Sequence, residues 1–364
     1  MINDAIQLLK DLIGTPSTSR QEQAAADILE DRMRQWGLQP QREANNVWAV
    51  SESYDAQFPT ILLNAHIDTV KPVASWKHDP YVPTQEDDRL YGLGSNDCGG
   101  GLVSLLAVFR LLYHVGATID GRQKANLLFL ASAEEEVSGA DGISRVLPLL
   151  PPIDVAIVGE PTGMQPAIAE KGLMVLDVEA HGRSGHAARG EGINAINLML
   201  DDLLWLRSYR FPRISPLLGP TLMQVTQVNA GTQHNVVPDV CHAVVDVRTN
   251  ELYTNQEVLD IISSHLNSRV MARSTRLSSS SIASDHPLVS RLVAMGKQPF
   301  GSPTLSDQAL MPFPSLKLGP GDSARSHTAD EYICMSEIND AIASGNKYIL
   351  SGDQVEQITT QIAK

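Results

Sequence analysis

A histidine and an aspartate, His66 and Asp68, close an apolar run at residues 61–70, ILLNAHIDTV. The run predicts a short β-strand, and side chains two positions apart on a strand point to the same side. An imidazole beside a carboxylate at a strand end suits a metal site or a proton-transfer site. The pair alone does not separate these uses from an ordinary packed or solvated histidine, so the rest of the chain must decide.

Other polar side chains follow apolar runs in the same way. They are Glu134–Glu136 after residues 125–131, Glu160 after residues 154–158, and His327 in the loop after residues 315–318. Three adjacent carboxylates repel one another unless cations or hydrogen-bond donors neutralise them. A solvated acidic loop is the usual alternative, but the position directly after an apolar strand favours a site.

Asp97 lies in the glycine-rich stretch LYGLGSNDCGGG, which leads into an apolar run at residues 102–114. The run predicts a buried helix that its preceding glycines allow to pack closely, and a helix start holds a nearby carboxylate ionised. A simple turn before a core helix is the alternative. A nucleotide site is not predicted, because the third glycine of Gly-x-Gly-x-x-Gly is missing and the sequence has no Gly-Lys-Ser/Thr.

The alternation of helix and strand predicts an α/β fold, whereas the middle of the chain predicts an inserted α+β domain. We therefore expect a catalytic domain at residues 1–170 and 284–364, with the insertion at residues 171–283. Near the N-terminus, Ser19 and Glu22 resemble the capping box of a helix start.

In open α/β sheets, ligands bind beyond the carboxyl ends of the strands, so the polar side chains can meet in one crevice. Two histidines and several carboxylates, with no thiolate, suit a divalent metal ion such as zinc. There are more carboxylates than one tetrahedral ion requires, which indicates two ions bridged by a carboxylate. A carboxylate left over can serve as general base, and together these groups suit the hydrolysis of an amide.

The bulk composition excludes several other classes of protein. The net charge of −14 over 364 residues argues against a nucleic-acid or anionic-membrane partner. We see no signal-peptide pattern and no run of about 18 apolar residues that would span a membrane. The three cysteines, Cys98, Cys241 and Cys334, form neither a disulfide framework nor a Cys-x-x-Cys site. These features favour a cytoplasmic protein.

Taken together, the motifs resemble those of the di-zinc aminoacylase and carboxypeptidase family, which includes acetylornithine deacetylase and succinyl-diaminopimelate desuccinylase. The resemblance runs from residue 61 to about residue 331 in family order and is carried by NAHIDTV, GLGSNDCGGG, ASAEEEVSG, VGEPT, GRSGHAA, GTQHNVVPD and GPGDSARSHTADE. It implies a catalytic domain with a mixed central sheet and helices on both faces. It also implies that the inserted domain is a lid that carries a homodimer contact.

The resemblance further implies a metal-ligand set. His66, Asp97 and Glu160 would hold one zinc ion, and Asp97 would bridge to a second ion held also by Glu136 and His327. The expected cofactors are therefore two Zn²⁺ ions, with Co²⁺ as a substitute.

The family also assigns roles to the neighbouring acids. Glu135 would be the general base, taking a proton from the attacking water and returning it to the leaving amine. Asp68 would hydrogen-bond to His66 and set its tautomer, and Glu134 would only support the pair that follows it. Many members have lysine where this chain has Gly99, which puts one contact near the metal site in doubt.

Within the inserted domain, His186 resembles the histidine that crosses to the partner subunit's site and stabilises the oxyanion. Asn235 and Arg248 resemble residues that grip the substrate, Arg248 through a carboxylate. An ion pair of Arg248 with Asp246 or Glu251 is the equally weighted alternative.

The resemblance implies hydrolysis of an N-acyl amino acid, with N-acetyl-ornithine or N-succinyl-ornithine giving ornithine in arginine biosynthesis. Succinyl-diaminopimelate desuccinylase and metallo-dipeptidase or tripeptidase activities are the alternatives within the fold. A non-catalytic binding protein on the same scaffold is the remote alternative, since every ligand and the base are present.

Overall fold

A computed structural model describes residues 1–114, 116–118 and 124–349 of the chain. No helix within these ranges is long and apolar enough to cross a membrane. Contacts divide the chain into two compact units: the first is Met1–Ile168, Ile282–Phe300 and Ser306–Lys364, and the second is Ala169–Ser281 and Gly301–Leu305. The sequence places the first boundary at 170/171 and the second at 283/284, each two residues later.

The described residues form short strands and helices that alternate along most of the chain. The strands are β1 (Gln41–Glu43), β2 (Asn46–Val50), β3 (Thr60–His66), β4 (Thr84–Glu86), β5 (Arg89–Tyr91), β6 (Ala117–Thr118), β7 (Lys124–Ser132), β8 (Val155–Val158), β9 (Ala167–Glu170), β10 (Gly172–His181), β11 (Leu222–Ala230), β12 (Val240–Thr249), β13 (Arg269–Ala272), β14 (Ser280–Ser281), β15 (Phe300–Ser302), β16 (Ser315–Lys317) and β17 (Tyr332–Cys334). The α-helices are α1 (Ile2–Ile13), α2 (Gln23–Gln35), α3 (Gly100–Leu112), α4 (Ile143–Val146), α5 (Ala195–Ser208), α6 (Asn255–His265), α7 (Pro287–Ala294) and α8 (Met335–Ile349). The sequence pattern at about residues 337–350 predicts a helix, which corresponds to α8, and residue 350 lies outside the described residues.

The first unit is built on a mixed sheet whose centre is β3. β3 pairs in parallel with both β7 and β8, and β8 pairs in parallel with β16, while β1 and β2 extend the other edge antiparallel. Successive side chains of β3 enter hydrophobic cores on opposite faces of the sheet. Ile61 and Leu63 pack in the larger core with α1, α2 and α3, whereas Leu62 packs in a smaller core with α4. The predicted α/β class with a mixed central sheet and helices on both faces is confirmed.

Helix α3 packs closely against the end of β8 because its first two residues, Gly100 and Gly101, lack side chains. A Cβ atom placed on Gly101 would lie 1.7 Å from the carbonyl oxygen of Gly159, which follows β8. The predicted close packing of this glycine-rich helix start is therefore present, and it brings α3 against the residue that precedes Glu160.

The predicted capping box at Ser19 and Glu22 is wrong. Glu22 is itself the residue before α2, and no side chain caps this helix. The Ser19 hydroxyl donates instead to Asp68, 2.6 Å away and 49 positions along the chain. In a capping box the serine oxygen would accept from the backbone N–H of Glu22, whereas here the hydroxyl serves a distant carboxylate.

The second unit is a separate α+β structure. Its antiparallel sheet has the order β11-β12-β10-β13, and its buried face meets α5 and α6. The alternation of apolar and polar residues at 241–248 predicts a strand with one apolar face, and the residues of that face, Cys241, Ala243, Val245 and Val247, are buried in β12. A capping box does occur in this unit, between Thr254 and Glu257 at the start of α6.

Candidate metal centre

Three neighbouring strand ends deliver the polar side chains predicted from the sequence. β3 ends at His66, β7 runs into Glu134–Glu136, and β8 is followed by Glu160. Because β3 lies between β7 and β8 and is parallel to both, these three ends share one edge of the sheet. The sheet topology therefore gathers groups that are far apart in the sequence.

Asp97 lies between the two histidines of the cluster. Its Oδ1 atom is 3.3 Å from Nε2 of His66, and its Oδ2 atom is 3.6 Å from Nε2 of His327. Burial acts most strongly, to raise the pKa of this carboxyl, but hydrogen bonding and charge attraction to His66, together with Ser326 and His327, outweigh burial and the pKa is lowered. An ionised carboxylate with one oxygen facing each imidazole is arranged as a bridge between two cations.

Each histidine has a further carboxylate beside it. Nε2 of His327 lies 3.0 Å and 3.1 Å from the two carboxylate oxygens of Glu136, and Nε2 of His66 lies 3.8 Å from Oε1 of Glu160. Ligand atoms of Asp97, Glu136 and His327 all fall within 4.8 Å of one another. All five predicted ligands are thus brought together around Asp97.

Cys98 is a neighbour of the cluster to which sequence reasoning assigned no role. Its sulfur can join His66 and Glu160 within the same 4.8 Å limit. However, the backbone N–H of His66 donates to this sulfur at 3.2 Å, and burial raises the pKa of the thiol far above its ordinary value. Cys98 therefore remains a packed thiol, whereas a metal ligand would have to be a thiolate.

The cluster holds more negative charge than its surroundings can neutralise. Burial raises the pKa of Glu160 to about 8, with repulsion from Asp97 adding to the effect, and burial raises the pKa of Glu135 well above its usual range. Hydrogen bonding to Glu136 raises the pKa of His327 to about 9. Oε1 of Glu160 is buried and accepts no hydrogen bond from any described residue. Divalent cations would satisfy this oxygen and the charge together, so the residues fit a two-metal site.

Asp68 orients two parts of the site. Nδ1 of His66 lies 2.9 Å from the backbone oxygen of Asp68 and 3.5 Å from its carboxylate. The carboxylate accepts from the backbone N–H groups of Glu135 at 3.0 Å and Glu136 at 3.1 Å, and from the Ser19 hydroxyl. Asp68 therefore aims the imidazole mainly through its carbonyl group and holds the Glu135–Glu136 turn through its side chain.

Glu134 supports the turn from its other end. It adopts a left-handed backbone conformation, and its carboxylate accepts from the N–H of Asp141 at 3.3 Å. Its own N–H donates to the buried carboxylate of Glu22 at 3.2 Å. These contacts fit the supporting role expected of it.

Sequence reasoning missed three buried carboxylates around the site. Asp307 accepts from the Ser132 hydroxyl at the end of β7, and burial raises its pKa to about 6. Glu22 holds the turn at Glu134, and Glu331 accepts from the backbone beside Asp97. Glu331 lies within the last of the quoted motifs, whereas nothing in the sequence distinguishes Glu22 or Asp307 from ordinary surface acids.

The remaining predicted site residues belong to the second unit. His186 is exposed and accepts from the N–H of Ala188 at 3.2 Å, and the backbone oxygen of Asn235 accepts from Ala187. Arg248 forms a two-pronged ion pair with Asp246, at 2.8 Å and 3.2 Å. The structure thus contains the Asp246 alternative for Arg248, while Glu251 accepts from Ser215.

Comparison with known proteins agrees with this site. The acetylornithine deacetylase of Proteus mirabilis is 29% identical over 368 residues, covering 92% of each chain. Among solved structures, aminopeptidase PepT of Bacillus cereus has a TM-score of 0.72 at 16% identity, covering 94% of this chain and 96% of its own. A dinuclear metal binding peptidase of Bacillus subtilis has a TM-score of 0.69 at 17% identity, covering 94% and 95%. These two structures show a shared fold.

The sequence profile of peptidase family M20/M25/M40 matches residues 62–351, most of the chain. This span includes His66, Asp97, Glu136, Glu160 and His327. The chain therefore belongs to peptidase family M20/M25/M40, a family of metal-dependent hydrolases.

Proposed function

We propose that this protein is a di-zinc amidohydrolase that releases the acyl group of an N-acyl amino acid, N-acetyl-ornithine or N-succinyl-ornithine, to give ornithine in arginine biosynthesis. The observation that carries the proposal is the placement of Asp97 between His66 and His327, with each histidine beside its own glutamate. The relatives named acetylornithine deacetylase support the choice of substrate class.

The ligands divide into two sets that share Asp97. His66, Asp97 and Glu160 would hold one Zn²⁺ ion, and Asp97, Glu136 and His327 would hold the other, with Co²⁺ as a substitute. When bound, such ions polarise the amide carbonyl and make a neighbouring water more acidic. Neutral imidazole is needed for both histidines, so binding displaces the proton that Glu136 stabilises on His327.

Glu135 is the proposed base, a role that the family resemblance implies for it. Its backbone N–H donates to Asp68, and burial raises the pKa of its carboxyl, which makes the carboxylate a stronger proton acceptor. In the proposed mechanism, a Glu135 carboxylate oxygen takes a proton from the attacking water. It then delivers that proton to the amide nitrogen as the C–N bond breaks, so the amino acid leaves as a neutral amine.

We also propose that the second unit forms a homodimer contact. β11 is an edge strand with no buried residue along its length. Helix α5 exposes Ile196, Leu200 and Leu204, which share one helical face. An open edge beside an apolar helix face is a common self-association surface.

Analytical ultracentrifugation tests this contact. Leu200→Asp should lower the sedimentation coefficient from that of a dimer to that of a monomer. Val293→Asp is the control, because Val293 is exposed on α7 in the first unit, and it should leave the coefficient unchanged.

His186, Asn235 and Arg248 remain candidate substrate contacts in this proposal. His186 would stabilise the oxyanion in the partner subunit's site, and Arg248 would exchange Asp246 for the substrate carboxylate. Replacing Arg248 with lysine should then raise KM more than it lowers kcat, because a lysine cannot form the same two-pronged contact.

A panel of substrates tests the proposed activity. Metal-loaded protein should hydrolyse N-acetyl-ornithine or N-succinyl-ornithine faster than N-succinyl-diaminopimelate, dipeptides and tripeptides. A preference for peptides with free amino ends would instead favour the peptidase alternative. Aminopeptidase PepT of Bacillus cereus, whose fold is similar, makes that alternative the one to test.

The base is tested by Glu135→Gln, which keeps the size of the side chain and removes its proton acceptor. We expect kcat to fall by at least about 100-fold while zinc binding persists. Glu52→Gln is the matched control, because Glu52 is exposed and pairs only with His114 among the described contacts. Full activity of Glu135→Gln would rule out the mechanism, and inactivity of the metal-loaded wild type on the whole panel would favour a non-catalytic binding protein.

A further inference from the structure

A buried carboxylate, that of Glu331, lies directly behind the backbone of Asp97. Only 2% of Glu331 is exposed. Its Oε1 atom accepts from the N–H groups of Asn96 at 2.8 Å and Asp97 at 2.9 Å, and its Oε2 atom accepts from the N–H of Gly94 at 3.2 Å. Its backbone oxygen accepts from Gly92 at 3.0 Å. Glu331 therefore holds the whole turn that presents Asp97.

These contacts require a group that only accepts hydrogen bonds. Three backbone donors converge on two oxygens, and a glutamine would place an NH₂ donor against at least one of them. The arrangement is also costly, since burial and the nearby Asp97 carboxylate both raise the pKa of Glu331, to about 7. A neutral side chain would fill the space without that cost, so the three hydrogen bonds explain why an acid occupies this position.

The same residue belongs to the loop that carries His327. His327 and Asp330 both have left-handed backbone conformations. The Asp330 carboxylate accepts from the N–H groups of Lys77 at 2.9 Å and His78 at 3.0 Å, which fixes the loop from its outer side. Only three residues separate Glu331 from His327 along the chain. Glu331 therefore links the loop that carries His327 to the backbone of Asp97.

We propose that Glu331 is a positioning residue that sets the distance between Asp97 and His327 and thereby the affinity of the second metal ion. The ligand set of that ion is Asp97, Glu136 and His327, so two of its three groups lie on segments that Glu331 joins. The first set shares only Asp97 with these segments. This inference rests on the proposed function of the cluster as a two-metal site.

Titration of Zn²⁺ into metal-free protein, followed by calorimetry, tests the proposal. Wild type should bind two ions. Glu331→Gln should bind the second ion at least about 10-fold more weakly, the loss typical when a residue that orients a metal ligand is replaced. Its affinity for the first ion should stay within about 3-fold of the wild-type value. Asp202→Asn is the matched control, because the buried carboxylate of Asp202 also accepts two backbone N–H groups, from Asn267 at 3.0 Å and Ser268 at 2.9 Å, and Asp202 lies in the second unit. It should bind both ions within about 3-fold of wild type.

Two outcomes separate the two proposals. If wild type binds no zinc, the proposed function fails; if wild type binds two ions and Glu331→Gln binds both equally well, the positioning role is overturned while the proposed function stands. Hydrogen exchange of metal-free wild type covers the case in which Glu331→Gln does not fold. The amides of Asn96 and Asp97 should exchange at least about 100-fold more slowly than those of exposed loops, and fast exchange would contradict the proposal.

Discussion

Replacing Gly101 with alanine tests whether close packing of α3 against the strand end positions Glu160. Gly101 lies in the first turn of α3, and its missing Cβ atom would sit 1.7 Å from the carbonyl oxygen and 2.6 Å from the carbonyl carbon of Gly159. Both are backbone atoms, so no side-chain rotation can relieve the overlap. Since Gly159 precedes Glu160, any separation of helix and strand also moves a proposed metal ligand.

Two opposing effects determine the outcome. Alanine favours a helix over glycine by about 1 kcal/mol, which would stabilise the variant. Restoring even a tight contact of about 3 Å requires helix and strand to move apart by roughly 1.3 Å, and forcing extra atoms into a packed core costs about 1–3 kcal/mol or more. The steric effect should win at this backbone-to-backbone contact, and we expect a net loss of about 1–2 kcal/mol. For units of this size that corresponds to a fall in Tm of about 2–8 °C.

Thermal unfolding of the metal-free protein measures this change, with Gly14→Ala as the matched control. A Cβ atom on Gly14 would meet its nearest neighbour, the carbonyl oxygen of Lys10, at an ordinary 3.4 Å, and its φ of −67° suits alanine. Gly14→Ala should therefore unfold at the wild-type temperature or slightly above it. Zinc affinity should fall in Gly101→Ala and should be unchanged in Gly14→Ala. A Gly101→Ala protein as stable as wild type, with unchanged zinc affinity, would refute the reasoning.

Two further predictions concern the metal site. Asp68→Asn replaces an acceptor of three hydrogen bonds by a group that carries its own donors, so zinc affinity and kcat should each fall by about 10–100-fold, and equal activity to wild type would contradict the role given to Asp68. Zinc affinity should also rise with pH, because zinc displaces the protons that Glu160 and His327 hold below their pKa values of about 8 and about 9. We expect up to about tenfold per pH unit for each proton displaced, and competition with a chelator at several pH values measures the slope; a flat profile would contradict the prediction.

The sequence predicts much of the fold because the signals are local, whereas the division of the polar residues into ligand sets came from the family resemblance. Short apolar runs followed directly by polar residues predict β3, β7 and β8 within one or two residues of their ends. The convergence of His66, Glu136 and Glu160 then follows from parallel pairing alone. The choice of Glu135 as base among three adjacent glutamates did not come from spacing, and its assignment still depends on family resemblance.

Contacts between distant segments are what the sequence does not show. Ser19 and Glu22 have the spacing of a capping box, but their side chains contact the groups that hold the Glu134–Glu136 turn. Ser19 donates to Asp68, and Glu22 accepts from the N–H of Glu134. Their local pattern is satisfied equally well by either use, and only the packing of α2 against the sheet decides between them. The prediction failed where a residue's partner lies tens of positions away.

The same limit explains why sequence reasoning could not separate the proposed ligands from the other carboxylates of the site. Asp97 and Glu331 are both acidic, both buried or nearly so, and both lie in quoted motifs, yet Asp97 oxygens face imidazole nitrogens whereas Glu331 oxygens face backbone N–H groups. A carboxylate whose two oxygens already accept from three backbone donors has little capacity left for a cation, while a carboxylate facing imidazoles and other carboxylates has little to stabilise its charge except a cation. The direction of the available donors, and not the residue type, therefore separates the proposed ligands from the groups that hold them in place.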